Sequence, residues 1–164
     1  MKKKLLSYVK EIILFIVVMT LLANILSLYK SSDLPKSALT LVNIKLIDNK
    51  SYALNNKPLL VHFWATWCPT CKLEASNIQM LSKHYEVLTI AVKSGSDADI
   101  KQYLKENDLD FNVINDSSGF ISSEFNIAAF PTTFIYDKEK NLVFSEVGYT
   151  STLGLWLRML WASF

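Results

Sequence analysis

Cysteine is scarce in this chain: two in 164 residues, at positions 68 and 71. That count excludes the disulfide framework of a small secreted fold, and the spacing leaves a redox pair or half a metal site. Histidine is equally scarce, with only His62 and His84. A zinc centre needs about four ligands, and His62 falls in a strand expected beneath the cysteine helix. A c-type haem attachment needs a histidine directly after the second cysteine, where Lys72 stands. Charge of one sign is also lacking. Seventeen basic and fifteen acidic residues leave a net charge of +2, mixed along the chain, which gives no case for nucleic-acid binding. No small-x-small cleavage site follows the apolar N-terminal run, and no cysteine there can carry a lipid.

What the chain has in excess is hydrophobic surface, 51% of its residues, much of it near the N-terminus. Lys2, Lys3, Lys4 and Lys10 lead into a run from Ile12 to Tyr29, broken only by Thr20, Asn24 and Ser27. As a helix this run is about 27 Å long, enough to span a bilayer core. The lysine flank keeps the start in the cytoplasm and sends the rest out. Residues 1–11 thus read as a cytoplasmic basic segment, 12–29 as a transmembrane anchor and 30–38 as a polar linker. Residues 39–164 form one domain, long enough for one hydrophobic core. A cleaved signal peptide is the rival reading. Export matters to the cysteines, because an exposed pair outside the cytoplasm meets an oxidising environment.

Within the domain, loose alternation over Leu39 to Ile47 and a return over Ser51 to Leu54 predict a hairpin. Pro58 opens the nearly continuous apolar run Leu59 to Trp64, the pattern of a strand buried on both faces. Cys68 to Lys83 has helical periodicity, with Leu73, Ile78, Met80 and Leu81 expected to face inward. Pro69 suits the first helical position, which puts Cys68 at the N-cap. There the orphan N–H groups and the helix dipole favour a thiolate. A strand over Tyr85 to Lys93 follows. Ser96 and Asp99 make a capping-box start for a helix to about Glu106. The remainder reads as a strand (Phe111 to Ile114), a short helix (Phe120 to Phe125), a hairpin (Thr132 to Tyr136 and Leu142 to Val147) and a last helix (Thr152 to Ala162). This order predicts an α/β fold, a mixed sheet flanked by helices.

Trp64-Ala65-Thr66-Trp67-Cys68-Pro69-Thr70-Cys71 resembles the active-site motif of the thioredoxin superfamily. Ala129-Phe130-Pro131-Thr132-Thr133-Phe134 resembles its second signature, a proline opening a later strand. The resemblance implies a thioredoxin-like fold with Pro131 cis and beside Cys68. It also implies substrate bound along the backbone at Phe130 by strand addition. Cys-Pro-Thr-Cys followed by Glu74 is similar to the membrane-anchored thiol reductases of cytochrome c maturation and their TlpA-type relatives. In those proteins an acid at this position tunes the cysteines. The second half, through Val92 to Ala98, Asp110 to Asp116 and Gly148 to Ser151, resembles the suppressor of copper sensitivity protein D family (ScsD), and that likeness runs the length of the chain. Two departures stand out. Thioredoxin has an acid six residues before its first cysteine, where this chain has His62. The residue before the proline is the bulky Phe130. A peroxiredoxin needs threonine three residues before its cysteine; Thr66 is two before and Trp67 intervenes.

Glu74 is either a solvated helix residue or, one turn from Cys71, a partly buried acid that raises the thiol's pKa and relays its proton. His62 reads as a core histidine ahead of a base. Trp67 reads as packing and as a flank of the substrate groove, with Phe130. Trp156, Leu157, Leu160, Trp161 and Phe164 leave the last helix apolar nearly all round, for packing on the sheet or for contact with a membrane surface.

The function expected is a thiol:disulfide oxidoreductase, tethered to a bacterial inner membrane and facing the periplasm, with reduction as its direction and copper tolerance as its setting. Cys68 attacks a protein disulfide and Cys71 resolves the mixed disulfide. No dissociable cofactor is needed. The resemblance implies a DsbD-type transmembrane thiol reductase as electron donor. Reduction of apocytochrome c cysteines and a Cu(I)-binding role for the pair remain as alternatives.

Overall fold

The computed structural model describes residues 8, 10–15, 18 and 44–164. The expected linker 30–38 lies outside the described residues, and the basic segment 1–11 and the anchor 12–29 lie largely outside them. Among the described residues no helix is long and apolar enough to cross a membrane.

A short antiparallel pair, β1 (Ile44–Lys45) and β2 (Ser51–Tyr52), precedes the main sheet. The apolar run then becomes β3 (Leu59–Trp64), buried at every position. It feeds α1 (Pro69–Ser82), β4 (Glu86–Val92), α2 (Asp97–Glu106), β5 (Asn112–Asp116) and the short α3 (Phe120–Glu124). The chain ends in β6 (Thr132–Tyr136), β7 (Leu142–Val147) and α4 (Thr152–Trp161). The strand order is β5-β4-β3-β6-β7, with β3 parallel to β4 and antiparallel to β6. This is the expected mixed sheet flanked by helices, and the central β3 needs apolar residues on both sides because helices cover both faces.

Alternate residues of a strand point to opposite faces, and the two faces hold separate cores. Leu60 and Trp64 face α1, α2 and α4, meeting Ile78, Leu81, Ile100, Leu155 and Met159. Leu59, Val61 and Phe63 face the other way, toward Phe125, Phe134 and Tyr136. The bounds of β6 and β7 match the hairpin read from sequence. The capping box forms as expected: the Ser96 side chain accepts from Asp99 N–H, and the Asp99 carboxylate accepts from Ser96 N–H at 2.7 Å.

One expectation about α1 is corrected. Leu73 and Met80 point outward, 72% and 55% exposed. The inward stripe is Cys71, Glu74, Ile78 and Leu81, recurring every three to four residues. A glutamate holds an inward place, so hydrophobicity alone misplaced the stripe by about one residue's rotation. On α4 and just after it, Leu155, Met159 and Ala162 pack inward, while Leu153, Trp156, Leu157, Trp161 and Phe164 stay exposed.

Candidate active site

The site begins where β3 ends. Cys68 stands at the N-cap of α1 in an extended conformation, with Pro69 next in the first turn. Its Sγ accepts a hydrogen bond from Cys71 N–H at 3.1 Å. That N–H is one of the donors a helix start leaves without an intrahelical partner. A negative sulfur at this point is held by the N–H and by the positive end of the helix. Cys68 and Cys71 form a disulfide, with Cα atoms 5.3 Å apart. Cys68 is 6% exposed and Cys71 2%, so an incoming sulfur reaches Cys68 first.

The two sequence motifs meet at the rings of Trp67 and Phe130, which pack edge to face with centroids 5.6 Å apart. Trp67 is 60% exposed. The Phe130–Pro131 bond is cis, and Pro131 is buried at the start of β6. The exposed Trp67, beside Cys68, thus packs on the half-buried Phe130, beside the cis bond. Trp67 is held from behind by its indole N–H, which donates to the Lys93 carbonyl at 3.1 Å. Ser94 fixes the preceding turn: its hydroxyl accepts from Thr66 N–H and donates to the Val92 carbonyl, both at 3.0 Å. Lys93 and Ser94 lie in the Val92 to Ala98 stretch, but nothing in the sequence assigns them a role at the site. The only cue was a small polar residue between a strand and a capping box, which is weak.

Glu74 is inside the protein, not on a solvated helix face; it is fully buried. Burial pushes its carboxyl up to about 8, a hydrogen bond from Thr150 N–H works against that, and the negative Glu146 adds to the rise. The Thr150 N–H donates to Glu74 Oε1 at 3.1 Å, while Oε2 has no hydrogen-bond partner. At neutral pH the side chain is therefore mostly protonated, one helical turn from Cys71. His62 is a core residue. Its ring nitrogen Nδ1 lies 2.9 Å from the Thr133 hydroxyl, and burial lowers its pKa to about 3, so it stays neutral. Among the described residues no three His, Cys, Asp or Glu side chains gather as a metal site would need.

The chain is similar to known proteins in sequence and in fold. The AhpC/TSA family model matches residues 32–145. A thioredoxin-like protein of Haemophilus influenzae is 32% identical over 99% of this chain and 97% of its own length. The thiol-disulfide oxidoreductase ResA of Bacillus subtilis is 28% identical, covering 87% of this chain and 86% of that protein. Among solved structures, that of StoA from Bacillus subtilis superposes with a TM-score of 0.65 at 21% identity, covering 79% of this chain and all of that one.

Proposed function

The chain belongs to the AhpC/TSA family as a thioredoxin-like thiol:disulfide oxidoreductase, and from that premise we propose a membrane-tethered reductase of extracytoplasmic protein disulfides. The observation that carries the chemistry is the N-cap position of Cys68, next to the exposed Trp67 that packs on Phe130.

The steps follow from the two sulfurs. In the reduced enzyme the Cys68 thiolate attacks one sulfur of a substrate disulfide. A mixed disulfide forms and the other substrate sulfur leaves as a thiolate. The substrate chain lies along the backbone at Phe130 and Pro131, held by strand-like hydrogen bonds. Cys71, in its buried place, then loses its proton and attacks Cys68. The ionised form of Glu74 receives that proton, and its raised pKa lies close to that of a thiol. The substrate leaves as a dithiol and the enzyme keeps the Cys68–Cys71 disulfide, having given two electrons. A dithiol donor returns them by the same exchange run backwards, and a transmembrane thiol reductase of the DsbD type fits a domain outside the cytoplasm.

The tether rests on the basic and apolar order of residues 1–29, and copper tolerance on the likeness of the second half to the ScsD family. Loss of c-type cytochromes on deletion, with copper tolerance intact, would instead assign the apocytochrome role. Cys71→Ser tests the mechanism. The variant is expected to stall as a mixed disulfide on Cys68 with its substrate, and absence of any adduct under native conditions would overturn it. The direction is read from the reduction potential: reductase action requires a value well below that of the strong oxidant DsbA, and about 30 mV corresponds to about 1.4 kcal/mol.

A further inference from the structure

The segment that joins β7 to α4, residues 148–151, is held against α1 by two side chains one helical turn apart. Glu74 Oε1 accepts the N–H of Thr150 at 3.1 Å. Asn77 takes the other end of the same residue, its Nδ2 donating to the Thr150 carbonyl at 3.1 Å. The same Nδ2 donates to the Tyr149 hydroxyl at 3.2 Å, and Asn77 Oδ1 accepts from the Thr152 hydroxyl at 2.8 Å. Chemistry fixes which way this amide points. A carbonyl can only accept, so the nitrogen must face Thr150 and the oxygen is left for Thr152. The segment is also anchored where it leaves β7: Gly148, at φ 97°, donates its N–H to the Pro131 carbonyl at 2.8 Å. Oε2 of Glu74 has no hydrogen-bond partner, so the Thr150 N–H is the donor that favours the ionised carboxylate, and it works against the effect of burial.

We propose that Asn77 is a positioning residue for the step in which Cys71 resolves the mixed disulfide: by gripping the Thr150 carbonyl and the Thr152 hydroxyl, it keeps the Thr150 N–H on Glu74. The inference rests on the reading of Glu74 as the proton acceptor for Cys71. A hydrogen bond donated to a carboxylate favours the charged form. With the Asn77 grip released, the segment is free to leave Glu74, the carboxylate loses its donor, and a smaller fraction of Glu74 can take the proton. The attack of Cys68 does not pass through this contact, since its sulfur is held by the Cys71 N–H at the start of α1. The other ionisable groups on the surrounding elements stay as they are. Cys71 lies on α1 itself, His62 of β3 is neutral, and Glu86 of β4 accepts from Tyr52. Glu146 of β7 adds to the rise at Glu74 and pairs with Arg158 of α4 at 2.8 Å. Tyr149, in the joining segment, is itself one of the Asn77 acceptors.

A single turnover of the reduced full-length protein with oxidised glutathione separates the two steps. Cys68 first forms a mixed disulfide and releases one glutathione thiolate; Cys71 then attacks Cys68 and releases the second. Asn77→Leu, close to asparagine in size, removes all three side-chain hydrogen bonds. The first phase should keep its rate, while the second slows about threefold at pH 7 and its pH midpoint rises by about half a unit. The side-chain carboxyl carbon of Glu74, followed by NMR in the oxidised protein, should show the same rise, and the Thr150 N–H should exchange faster. Thr152→Val removes one of the three bonds and should move each readout the same way by less. If Asn77→Leu does not fold, Thr152→Val decides alone. Gln79→Leu is the control: it releases a different α1 clamp, on the Asp110 N–H at 2.8 Å, and should leave the second phase and the Glu74 midpoint in place. An unmoved Glu74 midpoint in the folded clamp variant overturns the proposal, and so does an equal shift in Gln79→Leu. Glu74→Gln tests the reading beneath. If it leaves the pH dependence of the second phase unchanged, the proton-acceptor role falls, while the NMR midpoint still decides whether Asn77 positions the donor. Should Glu74→Gln alter that dependence while Asn77→Leu leaves the midpoint fixed, only the present inference fails.

Discussion

The two faces of the central sheet are built to opposite plans. One is an aromatic core: Phe63 meets Phe125 at 5.1 Å and Phe134 at 5.9 Å, and Phe134 meets Tyr136 at 6.4 Å. The other carries both cysteines and the buried Glu74 and His62. Both faces come from the same strands, since alternate residues of β3 serve one or the other. The lesson is a division of labour. The aromatic face supplies stability by apolar burial, while the opposite face holds groups whose protonation changes near or below neutral pH.

The sharpest break in that division would come from Phe134→Ala. Phe134 is fully buried, and the truncation should cost about 3–5 kcal/mol in equilibrium unfolding. The pH dependence of exchange in the folded fraction should not move; if it did, the faces would not be separate. Glu74 gives the next largest effect. Its folded pKa of about 8 lies above its ordinary 4.5, so between these values the unfolded chain has released a proton that the native state still holds. The native state binds more protons, so stability falls as pH rises through that window and the loss is complete above about 8. Glu74→Gln should abolish this slope, gaining up to a few kcal/mol at alkaline pH relative to wild type. Denaturant melts of the oxidised protein at a series of pH values would show it, and parallel curves for the two proteins would refute it.

His62 predicts the reverse slope on the acid side. Burial lowers its pKa from 6.5 to about 3. Its contribution is present above 6.5 and lost as pH falls toward 3, because the unfolded imidazole takes up a proton that the native one refuses. In the same melts, His62→Asn should flatten that acid limb while leaving the alkaline one. The smallest expected change belongs to Ser94→Ala. It removes the acceptor of Thr66 N–H and should cost about 1 kcal/mol. Hydrogen exchange should be faster at that amide and unaltered on the aromatic face.

Much of this architecture was legible in the chain. Asp137 to Asn141 marked the hairpin between β6 and β7, because turn residues between two apolar runs leave the backbone few alternatives. Ser96 and Asp99 marked the start of α2 for the same local reason. The inward face of α1 was not legible, since periodicity counts apolar residues and Glu74 lies on the buried stripe while Leu73 does not. Nor could the partners of Glu74 be read, with Thr150 lying 76 residues away.

The sequence by itself determined the chemistry on offer. Two cysteines flanking Pro69 and Thr70, behind an apolar strand, leave an N-capping sulfur as the local outcome, and a second motif at Phe130 and Pro131 tells what opposes it. Those are short-range matters of backbone preference and residue type. Only the tertiary structure decided what surrounds the resolving cysteine. It buried Glu74, brought the Thr150 N–H to its carboxyl, and kept His62 neutral. A pKa depends on desolvation and on charges a few ångströms away in space, and those neighbours come from strands and helices far apart in the chain.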